Sequence, residues 1–244
     1  MTFIEKIKAF CKKIADYLFI DDYSCIICRK ELDDEHRHYA LCDDCSARLP
    51  FKAEGNKCNI CGDYIEQGVY CKRCQVAAPY YDKAYAPFDY VDDIRKIIIH
   101  YKDRKQSYLG KYITRFLVDY SYVVCIKCDA VAYVPSDKKS IKRRGFDHMQ
   151  AVAKRFCNER ELPLIDVISR KIKIKDQTKL KYEERVNAVK DAFELKDGVD
   201  VTELQGKTVL LLDDVLTTGA TASAIAKIFK EAGVHEVIVL TLAR

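Results

Sequence analysis

The chain has no apolar run near the ~20 residues that a membrane-spanning helix requires, which excludes a helical membrane protein. Its opening, MTFIEKIKAFCKKIADYLFI, is too charged for a secretion leader. The expectation is a cytoplasmic protein without stable membrane insertion, held in a reducing compartment. Disulfides are disfavoured there, so the twelve cysteines point to metal rather than to cross-links. Nor does one sign of charge dominate: Lys and Arg number 42 against 37 Asp and Glu, a net +5. That balance hides an asymmetry, because residues 138–185 hold 15 basic and 7 acidic side chains. Such a stretch is either a solvated basic surface or a place for an anionic ligand or nucleic acid.

What is present begins with helical periodicity. Phe3, Ile4, Ile7, Phe10, Cys11, Ile14, Tyr17 and Leu18 fall on one face. They predict an amphipathic helix over residues 1–22, docked on the protein or on a membrane surface. Residues 23–79 then carry four Cys-x-x-Cys pairs: Cys25 and Cys28, Cys42 and Cys45, Cys58 and Cys61, Cys71 and Cys74. A two-residue spacer lets both thiolates of a pair reach one zinc, and two pairs complete a tetrahedron. Spacers of 13 and 9 residues between sequential pairs suit two tandem ribbons. A cross-braced arrangement, Cys25 and Cys28 with Cys58 and Cys61, would close longer loops at a higher entropic cost. Metal binding must supply much of the folding free energy of so small an apolar segment. Eight thiolates and two Zn²⁺ would bring the formal charge from +5 to about +1. His36 and His38 read as solvated loop residues. A fifth pair, Cys125 and Cys128, has no second pair to complete a zinc site, and is structural or redox-active.

Residues 80–244 form the larger domain. PYYDKAYAPFDY reads as a linker into a first strand, and Val91–Tyr101 and Tyr108–Tyr120 as helices. AVAYV, LIDVI, TVLLL and VHEVIVLTLA read as strands, and Gly145–Glu159 and Thr218–Ala232 as helices. The alternation predicts an α/β fold with a largely parallel sheet covered on both faces. Ligands of such sheets bind beyond the carboxyl ends of the strands. There VLLLDDVLTTGATASA runs from a buried strand through Asp213 and Asp214 into a turn and a helix. Free N–H groups and the positive helix dipole make that turn a phosphate cradle. The turn lacks the Lys of a Walker loop, which disfavours a nucleoside triphosphate. Carboxylates beside a phosphate need a ribose hydroxyl or a Mg²⁺ between, so ribose 5-phosphate chemistry fits best. Neighbouring strand residues point to opposite faces, so the two aspartates have different roles.

VLLLDDVLTTGAT resembles the phosphoribosyl pyrophosphate (PRPP) motif of type I phosphoribosyltransferases. YVPSDKKSIKRRGFDHMQ, ISRKIKIKDQTKLKYEERVNAVKDAF and VIVLTLAR extend the likeness to the ComF family of competence-associated proteins, which carries zinc modules ahead of such a domain. The resemblance implies a type I phosphoribosyltransferase-like sheet behind a double zinc ribbon, with two structural Zn²⁺. It implies PRPP with Mg²⁺ on Asp213, Asp214, Val215, Thr217, Thr218, Gly219, Ala220 and Thr221. Pro135, Ser136 and Gly145 would join them in a pyrophosphate loop. Arg143 and Arg144, with Lys138, Lys139 and Lys142, would serve the leaving diphosphate, making Asp213, Asp214, Arg143 and Arg144 the catalytic set. Arg170, Gln177, Leu180, Arg185 and Asn187 match the family's next signature, in a segment expected to close over the site. The family's usual Asn-Gln is replaced by Asp147-His148, which earns neither a catalytic role. No general base stands out, and His100, His148 and His235 read as structural or surface residues. The resemblance also implies DNA uptake, with a PRPP-dependent transferase and a non-catalytic PRPP-sensing or single-stranded-DNA-handling module both open, and other competence proteins as partners.

Overall fold

The structure is a computed structural model that describes residues 23–103, 106–171 and 192–244. The helix expected over residues 1–22 lies outside them, as do Gln177, Leu180, Arg185 and Asn187. The chain divides into two compact units, the first ending at Leu49 and the second running from Pro50 to Arg244.

In the first unit Cys25 and Cys28 sit on a tight knuckle. The Cys25 N–H donates to the Lys30 carbonyl, the Arg29 N–H returns to the Cys25 carbonyl, and Arg29 takes a left-handed backbone (φ 66°) to close the turn. Cys42 precedes the one-turn helix α1, Asp43–Ala47, which carries Cys45. The buried apolar side chains of this unit besides its cysteines, among the described residues, are Ile26, Leu32, Ala40, Leu41 and Leu49.

The second unit opens with a knuckle of the same form. The Cys58 N–H donates to the Asp63 carbonyl, and Gly62 (φ 69°) lets the chain turn back. Cys71 caps α2, Lys72–Val76. The remaining elements follow in order: β1 Lys83–Tyr85, α3 Asp92–Asp103, α4 Leu109–Val123, β2 Ala130–Tyr133, α5 Lys138–Arg144, α6 His148–Arg160, β3 Ile168–Arg170, β4 Phe193–Leu195, β5 Thr208–Val215, α7 Ala220–Glu231 and β6 Glu236–Ala243. β1, β6, β5 and β2 lie side by side in that order, all parallel. β3 and β4 form a separate antiparallel ladder.

The run Val209–Leu212 is apolar at every position because both of its faces are covered. Val209 and Leu211 pack in one core with Val237, Val239, Ile225 and Phe229 of α7. Leu210 and Leu212 point the other way and are equally buried. α4 and α6 pack against each other and against the sheet. The expected α/β architecture is therefore present, a parallel sheet flanked by helices behind a cysteine-rich module.

Two local expectations need correction. The helix expected over Gly145–Glu159 begins only at His148, as α6, because Gly145 sits in the left-handed region (φ 88°) and ends the preceding helix α5. Asp147 starts α6 by accepting from the Met149 and Gln150 N–H groups. LIDVI is also not one strand: Leu164 makes an isolated bridge to Val131, and pairing begins again only at Ile168. Between them Asp166 accepts from the Tyr133 hydroxyl at 2.7 Å and pairs with Lys196 at 2.6 Å, so side-chain bonds replace the ladder.

Candidate functional site

β5 delivers Asp213 and Asp214 to the carboxyl edge of the sheet. Two cavities open beside them. The larger, about 410 Å³, is lined by Tyr90, Ile98, Lys102, Arg170, Thr217 and Thr221 with the two aspartates and Val215. The smaller, about 110 Å³, is lined by Pro135, Ser136, Ser140, Arg143, Arg144 and His148 with the same pair. Lys102, Val134 and Arg170 border both.

The two carboxylates are treated differently. Asp214, 12% exposed, accepts on one oxygen from Lys102 Nζ at 2.7 Å and from His148 Nε2 at 2.9 Å. Burial pushes its carboxyl up, but the His148 hydrogen bond and the Lys102 charge outweigh this and hold it well below the usual range. Asp213 Oδ1 accepts from the Asp214 N–H at 2.8 Å, and among the described residues no cationic side chain is bonded to it. Burial first, and then the charge of Asp214, push its carboxyl upward. Lys102 is pulled down by burial and up by Asp214, with a net rise, so it stays a cation.

Behind the pair runs a hydrogen-bonded chain. Ser136 Oγ lies 2.9 Å from His148 Nδ1 and donates to Asp147 Oδ1 at 3.0 Å. Asp147 Oδ2 accepts from the Ser136 N–H at 2.9 Å. The Tyr101 hydroxyl donates to the His148 carbonyl at 2.7 Å. Asp147 and His148, passed over in the sequence, thus tie the turn after β2 to Asp214. Arg144 is buried and spends two donors on the backbone, Nη1 to the Lys102 carbonyl at 3.2 Å and Nε to the Ser140 carbonyl at 3.3 Å. It fixes α5 against α3 at the border of the small cavity.

The turn after β5 is shaped by Gly219, at φ 78°. A Cβ there would lie 2.6 Å from the Tyr81 hydroxyl, so a side chain is excluded by space as well as by backbone. Thr218 Oγ1 accepts from the Ala220 N–H at 3.3 Å within the turn that leads into α7. Thr218, Gly219, Ala220 and Gly145 line neither cavity, whereas Arg143, Arg144, Pro135, Ser136, Val215, Thr217 and Thr221 line them. Lys138, Lys139 and Lys142 are exposed on α5 outside the cavities, and His100 and His235 also stand apart. Lys102 carried no local sequence signal. It is recognisable only once α3 is placed over the sheet edge.

The eight cysteines gather in sequential sets, Cys25, Cys28, Cys42 and Cys45 in the first unit and Cys58, Cys61, Cys71 and Cys74 in the second. Within each set all four sulfurs lie within 4.8 Å of one another. Cys28 and Cys42 sulfurs are 3.6 Å apart, as are those of Cys61 and Cys71. A tetrahedral zinc with ~2.3 Å bonds has sulfur edges of about 3.8 Å, so both sets fit the metal. His36, read as a solvated loop residue, bridges Asp33 and Asp43 instead of joining a set. Cys125 and Cys128 join no set among the described residues, and burial pushes the Cys128 thiol up to about 11, which leaves little thiolate for redox chemistry.

Residues 140–244 match the family described as the phosphoribosyl transferase domain, and residues 9–75 match the double zinc ribbon domain. Competence protein F of Haemophilus influenzae is 27% identical over 236 residues, covering 91% of this chain and 97% of its own. Competence protein ComFC of Bacillus subtilis is 23% identical over 86% of this chain and 89% of its own. DNA utilization protein YhgH of Escherichia coli K12 is 24% identical over 90% and 96%. Among solved structures, the glutamine PRPP amidotransferase from B. subtilis overlays 59% of this chain and 30% of its own, at 19% identity and a TM-score of 0.38. Adenine phosphoribosyltransferase from Thermoanaerobacter pseudethanolicus overlays 56% and 69%, at 21% identity and a TM-score of 0.35. No helix among the described residues is long and apolar enough to cross a membrane.

Proposed function

We propose that this chain, in which a double zinc ribbon match precedes a phosphoribosyl transferase domain match, is of the ComF type, and that its site binds PRPP with Mg²⁺ and displaces the diphosphate at ribose C1. The observation that carries the reading is the Asp213–Asp214 pair set between the α7 turn and cavities bordered by Lys102, Arg143, Arg144 and Arg170. The turn Thr217–Thr221 offers backbone N–H groups other than that of Ala220, which Thr218 engages, at a helix N-terminus to the 5-phosphate. Asp213, with an oxygen not committed to a side-chain cation, takes the ribose hydroxyls or the Mg²⁺ that accompanies the substrate. Lys102, Arg143, Arg144 and Arg170 neutralise the diphosphate, and Ser136 positions it.

In the reaction an incoming nucleophile bonds to C1 as the C1–O bond to diphosphate breaks, and the electron pair leaves with the diphosphate. The site's contribution is positioning and stabilisation of departing charge. The names of the relatives support a role in DNA uptake or DNA utilisation, with single-stranded DNA or other competence proteins as partners. Asp214 is already occupied by Lys102 and His148, which favours a second reading in which PRPP is sensed without turnover.

One experiment tests the site and separates the two. PRPP with Mg²⁺ should raise the melting temperature, and the double substitution Asp213→Ala, Asp214→Ala should abolish the rise. Absence of any rise in the wild type overturns the PRPP reading. Diphosphate release in the presence of nucleobases, amines or single-stranded DNA identifies a transferase, and binding without release under all of them identifies the sensor.

A further inference from the structure

The second cysteine set is built into the core that carries the phosphate turn. Cys58, Cys61 and Cys74 are buried in one apolar cluster with Tyr81, Leu216, Ala222 and Ile225. Leu216 immediately precedes the turn Thr217–Thr221 and Ala222 immediately follows it. Two routes lead from the sulfurs to the turn.

The first is the short segment after Cys74. The Tyr80 N–H donates to Ser223 Oγ at 3.1 Å, and the Ser223 N–H donates to the Gly219 carbonyl at 2.8 Å. Tyr81, 3% exposed, sets its hydroxyl against Gly219. The second route is Arg244, which follows β6. Its Nη2 donates to Cys61 Sγ at 3.4 Å and pairs with Asp63 at 3.0 Å. Next to it, the Ala243 carbonyl accepts from the Leu216 N–H at 3.0 Å. The Arg244 side chain is only 7% exposed and its Nη1 has no partner among the described residues. A buried guanidinium needs compensating negative charge. A zinc tetrathiolate, with a net charge of −2, supplies it beside Asp63.

We infer that the second zinc site braces the phosphate turn, with Tyr81 and Arg244 as positioning residues, and that the first zinc site has no such role. Anion binding by backbone N–H groups depends on those groups being held in place before the ligand arrives. The ordered thiolate cluster holds Tyr81 and Arg244, and they hold Gly219 and Leu216. The ligand part of this inference rests on the proposed 5-phosphate site, but the ordering of the turn does not need a ligand.

The test uses the full chain and three variants. Cys71→Ser disrupts the second set, Cys28→Ser disrupts the first, and Tyr81→Phe removes the hydroxyl while leaving both sets intact. Amide hydrogen exchange at residues 217–223 should speed up about tenfold in Cys71→Ser and Tyr81→Phe and stay unchanged in Cys28→Ser. Ribose 5-phosphate affinity by calorimetry should fall about tenfold in the same two variants, with inorganic pyrophosphate affinity retained. Unchanged exchange in Tyr81→Phe overturns the brace, and that variant decides if Cys71→Ser does not fold. Equal acceleration throughout the sheet, or the same effect from Cys28→Ser, also overturns it. Failure of the wild type to bind ribose 5-phosphate would remove the proposed function, while the exchange result still judges the brace.

Discussion

Replacing Asp213 by Asn should stabilise the protein while weakening its ligand site. The Asn Oδ1 can keep the hydrogen bond from the Asp214 N–H. What is removed is a carboxyl raised by burial and by the charge of Asp214. A raised carboxyl contributes stability fully below its unfolded value, here 3.8, and loses it as pH rises toward the folded value. The wild type therefore carries a growing handicap relative to Asp213→Asn between about pH 4 and neutrality. The ceiling is about 3 pH units at about 1.4 kcal/mol each, or about 4 kcal/mol at pH 7. Solvent reaches the cavity, so about 1–2 kcal/mol is the working expectation. For a chain of this size that is a rise in melting temperature of about 2–8 °C. The assay is thermal unfolding of both proteins without ligand from pH 4 to pH 8. The difference should be near zero at the acid end and grow with pH, while the PRPP-dependent rise shrinks in the variant. A lower melting temperature for Asp213→Asn at neutral pH, or a gap that does not change with pH, refutes the reasoning.

Lys102→Met should lower affinity for PRPP and for pyrophosphate about tenfold, measured by calorimetry. It should also cost about 1–2 kcal/mol of stability, less than the 3–5 of a fully buried pair because Lys102 is half exposed. Asp214 is held low, so its stabilisation is present above the unfolded value and lost as pH falls. In Lys102→Met that acid loss should be smaller and complete at higher pH. Metal analysis of protein purified under reducing, zinc-replete conditions should give two zinc per chain. A value near zero would defeat the tetrathiolate sites.

The parts of the site that were legible in the sequence are those contiguous in the chain. Asp213, Asp214 and the Thr217–Thr221 turn form one strand–turn–helix unit, so composition and spacing were enough. The sequential cysteine sets were legible for the same reason, since loop closure favours neighbouring pairs. Lys102 and His148 were not, because crossover connections bring α3 and α6 to the sheet edge from distant sequence. His148 also stands where a neutral amide was expected, yet it can bridge Ser136 and Asp214 with its two ring nitrogens. Gly145 was mistaken for a helical residue, although it is the left-handed break that lets Asp147 cap α6 and hold Ser136 at the same time.

The division of the chain at Leu49 has a consequence for exchange of parts. The two ribbons look like a tandem repeat in sequence, but they are not equivalent as heritable pieces. A recombination at Leu49–Pro50 transfers Cys25, Cys28, Cys42 and Cys45 together, as one complete set within one unit. A recombination just after Cys74 severs Cys58, Cys61 and Cys74 from Tyr81 and Leu216, which share one interior. The first set can therefore be inherited whole within its own unit, whereas the second must change together with the sheet that it lines.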